Sequence, residues 1–385
     1  MRILMLNYEF PPIGGGAGEI SRHIAEGLSD CGHEVHVLTA GTGEQALSAV
    51  ENGVQVTRLR SKRRYIYQSN PREMLSWMRM SKKFLRSYLK SNMYDICFAH
   101  FALPGGDVAY SMKQEFDLPY VVMSHGHDIP WFFPKQMFLY HALTYQWIWK
   151  IVINSRGLFV QSDAMELNAR NFLGRKHEAL IHQIPNGWDA EFFYPGKKKR
   201  DGIFRLVFPG RLVKQKDPFT LLKAVRSIHE DIPEMQVYVL GDGPMRKSME
   251  AFVRKYDLSE KVIFEGWVNK KRMREAYQQA DLVVLPSLNE GMSIATLEAM
   301  ACGAYLLVTD VSRNAALIDE GVNGEIVPMA DSAELAYRIK QHFKKYSLPV
   351  QHVPEDLKKK VDEIYAWPQV IQRYEVLLEE VSKVR

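Results

Sequence analysis

The chain has 385 residues, 46% of them hydrophobic, and is therefore long enough to bury two separate cores. Its formal net charge of +5 is modest, and no stretch approaches the roughly 18 consecutive apolar residues of a membrane span. The first residues lack a secretory cleavage pattern, so we expect a cytoplasmic protein. Cys31, Cys97 and Cys302 form no CxxC pair and indicate neither a disulfide framework nor a thiolate zinc site. We expect them to be buried as small apolar side chains.

Apolar strand-like runs alternate with amphipathic helical patterns along the whole chain, which is typical of βαβ units and of parallel sheets covered on both faces. The strands predicted before residue 192 are 2–8, 33–40, 94–100, 120–126 and 157–162. A polar, basic segment with Pro and Gly at 192–202 is typical of a linker. The strands predicted after it are 204–210, 236–241, 261–266, 280–287 and 304–310.

These patterns predict an α/β protein of two Rossmann-like, doubly wound parallel-sheet domains. The expected bounds are 1–195 and 196–366, followed by a helix over 367–385 that crosses back to the first domain. Ligands of such sheets bind at the carboxyl ends of the strands. We expect two substrates to meet in a cleft between the domains.

A glycine-rich loop follows the first predicted strand and precedes a helix. Because Gly14, Gly15, Gly16 and Gly18 have no side chain, the backbone there can approach a phosphate or a sugar closely. The spacing is not GxGxxG, and turn geometry alone explains such a loop equally well.

Two basic or aromatic segments follow in the first half. Residues 60–90 hold ten Lys or Arg against the single acid Glu73, and residues 131–149 hold eight aromatic residues and no acid. Basic and aromatic helices suit an anionic membrane interface, and this reading predicts a peripheral position on the inner face of the cell membrane. The alternative is that the apolar stripe of residues 73–90 is the core face of its helix.

The segment VVMSHGHD, residues 121–128, brings His125, His127 and Asp128 to the end of a predicted strand. His125 is a candidate to bond a sugar hydroxyl or polarise an acceptor, because an unperturbed histidine titrates near neutrality. The alternative is a structural histidine. No metal site is predicted, since no third ligand lies nearby and the chain has no Asp-x-Asp pair.

In the second half, PGRLVKQKD at 209–217 places Gly210, Arg211 and Lys216 directly after a predicted strand. Cations in such a loop neutralise a diphosphate, and an arginine bonds two oxygens at once. An isolated pair of surface cations would more often be only solvated. We expect this loop to lie beside the helix N-terminus of residues 289–303, and this shared location favours binding of a diphosphate over simple solvation.

The most informative segment is NEGMSIATLEAMACG, residues 289–303. A helix that begins near Met292 presents backbone N–H groups where anions bind. Glu290 and Glu298 are about two helical turns apart and are expected to face one ligand. In a sugar nucleotide, Glu298 would accept from ribose hydroxyls and Glu290 from the sugar. The alternative is an acidic first turn that complements the helix dipole.

Taken in order, PPIGGGAGE, GHEVHVLT, SHGHD, IPNGWDAEFF, PGRLVKQKD, LGDGP, ADLVVLPS and the Glu-x7-Glu element resemble the retaining glycosyltransferases of family 4. The resemblance covers nearly the whole chain and implies the GT-B architecture of two Rossmann-like domains. It also implies an acceptor-binding first domain and a nucleotide-sugar-binding second domain. The chain departs from the family pattern at Met292, Ser293, Tyr305 and Ala316, beside the donor pocket, which leaves the sugar open.

The resemblance implies a role for each candidate residue. Arg211 and Lys216 would hold the donor diphosphate beside Gly210, and Glu298 would bind ribose. Glu290, with the backbone of Gly291, Met292 and Ser293, would meet the sugar or phosphates. His125 would contact the transferred sugar, and Gly15 and Gly16 would approach phosphate or acceptor. No metal or other cofactor would be required, because Arg, Lys and a helix N-terminus stabilise the leaving diphosphate.

The expected reaction is therefore transfer of a sugar, with retention, from a UDP- or GDP-sugar to a glycan or lipid-linked acceptor. It would serve cell-surface polysaccharide or glycolipid synthesis. A sugar-nucleotide epimerase or a phosphorylase of the same fold is the alternative. A basic nucleic-acid-binding protein is disfavoured, because residues 60–90 match no recognised reader module and the second domain would stay unexplained; we expect no nucleic-acid partner.

Overall fold

The computed structural model describes residues 1–42, 47–62, 69–126, 128–131, 134–189, 191–199, 201–288, 293–311, 317–345, 359 and 362–383, with the backbone alone at 134–137. The chain divides into two compact units. One unit is Met1–Gly187 together with Trp367–Arg385, and the other is Trp188–Ala366.

The strands are β1 (Arg2–Leu6), β2 (Glu34–Gly41), β3 (Ser48–Glu51), β4 (Val54–Arg60), β5 (Ile96–His100), β6 (Tyr120–Met123), β7 (Leu158–Val160), β8 (Ile181–Gln183), β9 (Phe204–Pro209), β10 (Met235–Leu240), β11 (Val262–Gly266), β12 (Leu282–Leu285), β13 (Tyr305–Thr309) and β14 (Gly324–Val327). The first unit holds β1 to β8, in the sheet order β3-β4-β2-β1-β5-β6-β7-β8. The second holds β9 to β14, in the order β11-β10-β9-β12-β13-β14. Every described pair is parallel except β3 with β4.

The α-helices are α1 (Gly16–Asp30), α2 (Pro71–Tyr88), α3 (Asp107–Phe116), α4 (Pro134–Ile153), α5 (Asp163–Leu173), α6 (Pro218–Ile228), α7 (Arg246–Lys255), α8 (Lys270–Gln279), α9 (Ile294–Ala301), α10 (Ser332–Lys345) and α11 (Trp367–Lys383). None of the helices in the described part of the chain is both long and apolar enough to cross a membrane.

Helices cover both faces of the first sheet, which explains why its central strands are continuous apolar runs. Leu4 and Leu6 of β1 join one core with buried residues of α2, α3, α4 and α5. On the opposite face, the rings of Phe98 and Phe159 each lie 5.8 Å from the ring of Tyr374 in α11. The helix that begins at Trp367 is therefore part of the first unit.

The second sheet is covered in the same way. One core joins β9, β10 and β12 to α6, α7 and α10, and the other joins the opposite sheet face to α8 and α9. Residues 192–199, which have the composition of a linker, belong to this unit. Phe193 is buried, and the carbonyl oxygen of Tyr194 accepts a 2.8 Å hydrogen bond from Gln278 of α8.

The apolar stripe of α2 is a core face, which is the alternative that the sequence left open. Asn70 and Glu73 form a reciprocal capping box at its start, with Pro71 in the first turn. Trp77 and Leu85 are then buried against the sheet. The basic side chains of α2 therefore lie on its outer side.

The fold corrects one expectation about the cysteines and adds strands that the sequence analysis did not predict. Cys31 is exposed, whereas Cys97 and Cys302 are buried as expected. Four strands were missed: β3, β4, β8 and β14. β3 and β8 are edge strands, and their short, partly exposed sequences carry little of the apolar signal that marks a central strand.

Gly105 marks the closest backbone contact after β5. A Cβ there would lie 2.3 Å from the carbonyl oxygen of His100 and 3.0 Å from that of Leu6. Both oxygens belong to central strands, so neither can move without disturbing the sheet. We expect Gly105→Ala to lower the free energy of unfolding by about 1–3 kcal/mol, the usual cost of overpacking.

Urea denaturation measures this change. Gly16→Ala is the matched control, because an added Cβ there meets no atom within 4 Å and the position is helical. Its stability should stay within about 1 kcal/mol of the parent. Equal stability of the two variants would show that the backbone at Gly105 is not held so tightly.

Candidate functional site

The ends of β9 and β10 meet at two glycines in the second unit. Gly210 has φ +121° and Gly241 has φ +147°, in the region that favours glycine. A Cβ on Gly241 would lie only 2.0 Å from the carbonyl oxygen of Gly210, and the Gly210 N–H donates to Leu240 at 2.8 Å. The two strand ends therefore form a bare, close-packed backbone surface.

Lys216 lies over this surface. Its Cε is 3.6 Å from the position that a Cβ on Gly210 would take. The loop turns back because Asp217 adopts a left-handed conformation before Pro218 starts α6, and the Thr220 hydroxyl donates to Asp217 at 2.5 Å. Arg211 is on the same loop and is exposed. Gly210 thus presents backbone without a side chain, and Lys216 places an ammonium group beside it. This combination is suited to binding an anion.

The loop with Lys216 is joined to the loop that follows β12, the neighbouring strand in the sheet. The N–H of Leu288 donates to the carbonyl oxygen of Gln215 at 2.8 Å. The next residues, Glu290, Gly291 and Met292, lie outside the described residues. The chain is described again at Ser293, a buried residue that directly precedes α9.

Glu298 lies on α9 and is partly buried. The Tyr277 hydroxyl of α8 donates to its Oε2 at 3.3 Å. Burial raises the pKa of Glu298 to about 7, and the Lys270 ammonium opposes this rise more than the Tyr277 hydrogen bond does. The first turn of α9 contains no acid, so Glu298 does not serve to complement the helix dipole. Its carboxyl group is poised between its two protonation states at neutral pH.

In the first unit, Asp128 organises the loop that follows β6. Its carboxylate accepts hydrogen bonds from the Ser124 hydroxyl at 2.9 Å, the His125 N–H at 2.8 Å and the Ala102 N–H at 2.8 Å. Burial raises the pKa of Asp128, and these hydrogen bonds oppose the rise. Asp128 is thus a residue that fixes the loop. His127 lies outside the described residues.

His125 contacts a second histidine that the sequence analysis missed. Its Nε2 lies 3.1 Å from Nδ1 of His100, the last residue of β5, and the ring of Phe101 lies 4.5 Å away. Burial lowers the pKa of His125 to about 3. The expectation that His125 titrates near neutrality is therefore wrong, and the ring is neutral at physiological pH.

The glycine-rich loop divides into structural and open positions. Gly14 has φ +105°, and a Cβ on Gly18 would lie 3.1 Å from the carbonyl oxygen of Ile13. Turn geometry thus explains these two. A Cβ on Gly15 or Gly16 would meet no atom within 4 Å, and α1 begins at Gly16. This helix N-terminus leaves backbone N–H groups accessible.

One group of side chains in the described part of the chain is close enough to share a metal ion. The ligand atoms of His33, Glu375 and Glu379 lie within 4.8 Å of one another. His33 Nε2 lies 3.0 Å from Glu375, and Glu379 pairs with Lys383 at 3.4 Å. His33 directly precedes β2, at the amino end of its strand, whereas His125 follows the carboxyl end of β6. This group is thus separate from the candidate residues.

The missed residues had weak signals in the sequence. Lys270 and Tyr277 are seven residues apart on α8 and so share a helix face, but nothing in their pattern pairs them with Glu298. His100 ends a predicted strand at the sheet edge where ligands bind. That position was the one available signal.

Two family models match successive parts of the chain. One, described as Glycosyltransferase Family 4, matches residues 14–192. The other, described as Glycosyl transferases group 1, matches residues 190–360. The chain is also similar to an uncharacterised glycosyltransferase of Methanocaldococcus jannaschii, with 26% identity over 407 residues that cover 100% of both chains.

Solved structures share the fold. Sucrose-phosphate synthase from Thermosynechococcus elongatus has a TM-score of 0.84 and 19% identity, and the match covers 99% of each chain. Anabaena HepE in complex with UDP-glucose has a TM-score of 0.75 and 17% identity, and the match covers 99% of this chain and 100% of that one. The predicted α/β class of two Rossmann-like, parallel-sheet domains is confirmed.

The protonation of Glu298 is testable without any ligand. We expect its carboxyl to titrate near pH 7, measured by carbon-13 NMR of labelled glutamate with Glu298→Gln for assignment. Lys270→Met should raise the pKa further, because the lost cation favours the ionised form. Lys271→Met is the matched control, since Lys271 is exposed on the same helix turn. A midpoint at the ordinary glutamate value, or equal effects of both variants, would contradict this account.

Proposed function

Because this chain belongs to the family 4 glycosyltransferases, with their GT-B fold, we propose that it transfers a hexose-type sugar from a nucleoside diphosphate to a glycan or lipid-linked acceptor, with retention at the anomeric carbon. The observation that carries this proposal is Lys216, held over the bare backbone at Gly210. The donor is a UDP- or GDP-sugar. The first unit binds the acceptor and the second binds the donor.

The diphosphate is the part of the donor that fits Gly210 and Lys216. Without a side chain on Gly210, a phosphate can approach the backbone, and the adjacent ammonium group neutralises it. Arg211 is exposed on the same loop and has the planar geometry to bond two phosphate oxygens. These charges, with the backbone N–H groups before α9, stabilise the leaving diphosphate in place of a metal ion.

The ribose is the part that fits Glu298. An ionised carboxylate accepts hydrogen bonds from two neighbouring hydroxyls, and Lys270 favours this ionised form. Since the pKa of Glu298 is about 7, donor binding should weaken as the pH falls below neutrality.

The remaining candidate residues receive their roles from the family resemblance. Glu290, with the backbone of Gly291, Met292 and Ser293, meets the sugar or the phosphates. His125 contacts the transferred sugar, and Gly15 with Gly16 approaches phosphate or acceptor. The open space at Gly15 and Gly16 supports their part of this assignment.

The proposed reaction keeps the leaving group and the acceptor on one face of the sugar. The bond between the anomeric carbon and the phosphate oxygen breaks, and a bond from that carbon to the acceptor oxygen forms on the same face. The departing diphosphate takes the acceptor's proton. UDP-glucose is the first donor to test, because the similar HepE protein was solved with it.

Lys216→Ala tests the diphosphate site. We expect kcat/KM for donor to fall on the order of 100-fold, the usual cost of removing one group that stabilises developing charge. Lys214→Ala is the matched control, because Lys214 is an exposed lysine of the same turn; it should change kcat/KM by less than about threefold. Full activity in both Lys216→Ala and Glu298→Gln would refute the donor site.

Assays without acceptor, and with added inorganic phosphate, separate transfer from epimerisation and phosphorolysis.

The acceptor is proposed to lie at an anionic membrane, reached through an apolar face of α4. Leu139 and Leu143 are 71% and 77% exposed, one turn apart, and the partly exposed Trp147 follows one turn further along the same face. A face this apolar is unusual on a protein surface that contacts only water. The residues described in α4 after Phe138 include no acid.

One basic residue of α2, Lys82, is linked to this face through α3. Asp107 of α3 connects the two helices: it pairs with Lys82 of α2 at 2.6 Å and accepts from the Trp147 indole of α4 at 3.0 Å. Arg79 and Lys83 are exposed on α2. Apolar side chains that enter the interface, flanked by cations, favour anionic lipid.

Liposome flotation tests this face. We expect the protein to float with anionic vesicles and not with neutral ones. Leu139→Ser with Leu143→Ser should weaken recovery at least about tenfold, since each leucine loses more than about 1 kcal/mol of apolar burial. Leu47→Ser with Val50→Ser is the matched control, as these are 56% and 75% exposed at the opposite edge of the sheet. Unchanged recovery for the α4 variant would favour a soluble acceptor.

A further inference from the structure

His100 is buried, and the only described hydrogen bond of its side chain goes to His125. It ends β5, it is 0% exposed, and its Nδ1 lies 3.1 Å from His125 Nε2. Its other ring nitrogen, Nε2, has no hydrogen-bond partner among the residues that the structure describes. A buried polar group of this kind needs an explanation.

The contact requires one donor and one acceptor. Burial lowers the pKa of His125 to about 3 and that of His100 well below its usual range. Both rings are therefore neutral at pH 7, and each carries one N–H and one bare nitrogen. Only two arrangements of the protons satisfy the 3.1 Å contact.

The two arrangements differ in what they leave unpaired. If His125 donated from Nε2, the proton of His100 would sit on its own Nε2, where the described part of the chain offers this buried N–H no acceptor. If His100 donates from Nδ1, only a lone pair at its Nε2 is left unpaired. Orphaned buried N–H groups are the rarer defect in proteins. The second arrangement is thus favoured, and it places the proton of His125 on Nδ1.

We propose that His100 is a positioning residue that fixes His125 as the Nδ1–H tautomer, so that His125 offers the sugar a hydrogen-bond donor and not a base. This inference rests on the proposed function for the role of the sugar, but the tautomer itself does not. Nδ1 is the ring nitrogen of His125 that remains for a ligand. A donor there bonds a sugar oxygen and takes no proton from the acceptor, which leaves proton uptake to the departing diphosphate.

Nitrogen-15 NMR of labelled histidine tests the tautomer in the unmodified protein. The shift of each ring nitrogen distinguishes a protonated from a bare atom, and His125→Asn provides the assignment. We expect His125 to be protonated at Nδ1 and bare at Nε2, with no change between about pH 5 and 8, because its pKa is about 3. Protonation of His125 at Nε2, or titration within that range, would overturn the proposal. This measurement needs no activity, so it stands even if the proposed reaction fails.

Variants of His100 test the positioning. The amide nitrogen of asparagine lies close to the place of histidine Nδ1, so His100→Asn keeps a donor to His125, whereas His100→Leu removes it. We expect His100→Asn to retain the His125 tautomer and kcat within about threefold. His100→Leu should produce a mixture of tautomers and lower kcat at least about tenfold, roughly the weight of one hydrogen bond. The KM for donor should change little in either variant.

His36 supplies the control for simple loss of a buried histidine. It lies on β2, its pKa is also lowered by burial, and its ring contacts Tyr94 and Thr57 instead of His125. His36→Leu should lower the unfolding temperature without changing the His125 tautomer. If His36→Leu shifted the His125 signals as much as His100→Leu does, or if His100→Leu left them unchanged, the positioning role would be wrong.

Discussion

The contact between the ends of β9 and β10 is the constraint on which the candidate donor site depends. Two glycines are required there, because a Cβ on Gly241 would lie 2.0 Å from the Gly210 carbonyl oxygen. That packing leaves the backbone bare, and the turn at Asp217 then carries Lys216 back over it. Since β9 and β12 are neighbours in the sheet, the same edge also receives the loop that leads into α9. The order of the strands therefore brings three features to the carboxyl end of the second sheet: the Lys216 ammonium group, the backbone at Gly210 and the N-terminus of α9.

Burial acts differently on the ionisable groups of the two units. In the first unit it makes His125 and His100 neutral at physiological pH, so this loop offers hydrogen bonds without charge. In the second unit it raises the pKa of Glu298 only to about 7, because Lys270 and Tyr277 oppose it. A ligand that binds the ionised carboxylate therefore needs to supply only a small free energy to keep Glu298 ionised at neutral pH. The ionisable charge at the candidate residues therefore belongs to the second unit.

The sequence predicts the central features and misses those that depend on packing. Strands such as β1, β9 and β12 are apolar runs followed by glycine or polar residues, so their positions and the loops after them were evident. Edge strands such as β3 lack that signal. The His100–His125 contact was not predictable, because it depends on β5 and β6 being neighbours in the sheet. Nor was the pKa of Glu298, which is set by a residue on another helix.

The helices α2 and α4 show why composition alone does not identify a surface. Both carry several aromatic residues, and from the sequence both were candidates for a membrane interface, with a core face as the alternative for α2. In α2 the apolar stripe is buried, as at Trp77, and the basic side chains lie outside together with the exposed Leu75 and Met80. In α4 only part of the apolar residues can be buried: Ile148 and Ile151 occupy the face that packs on the core. The surplus, including Leu139 and Leu143, is exposed. A helix with apolar residues on both its inner and its outer face needs a second apolar neighbour. For this reason α4 is the helix proposed to enter the membrane interface, and α2 contributes only basic side chains to the proposed contact.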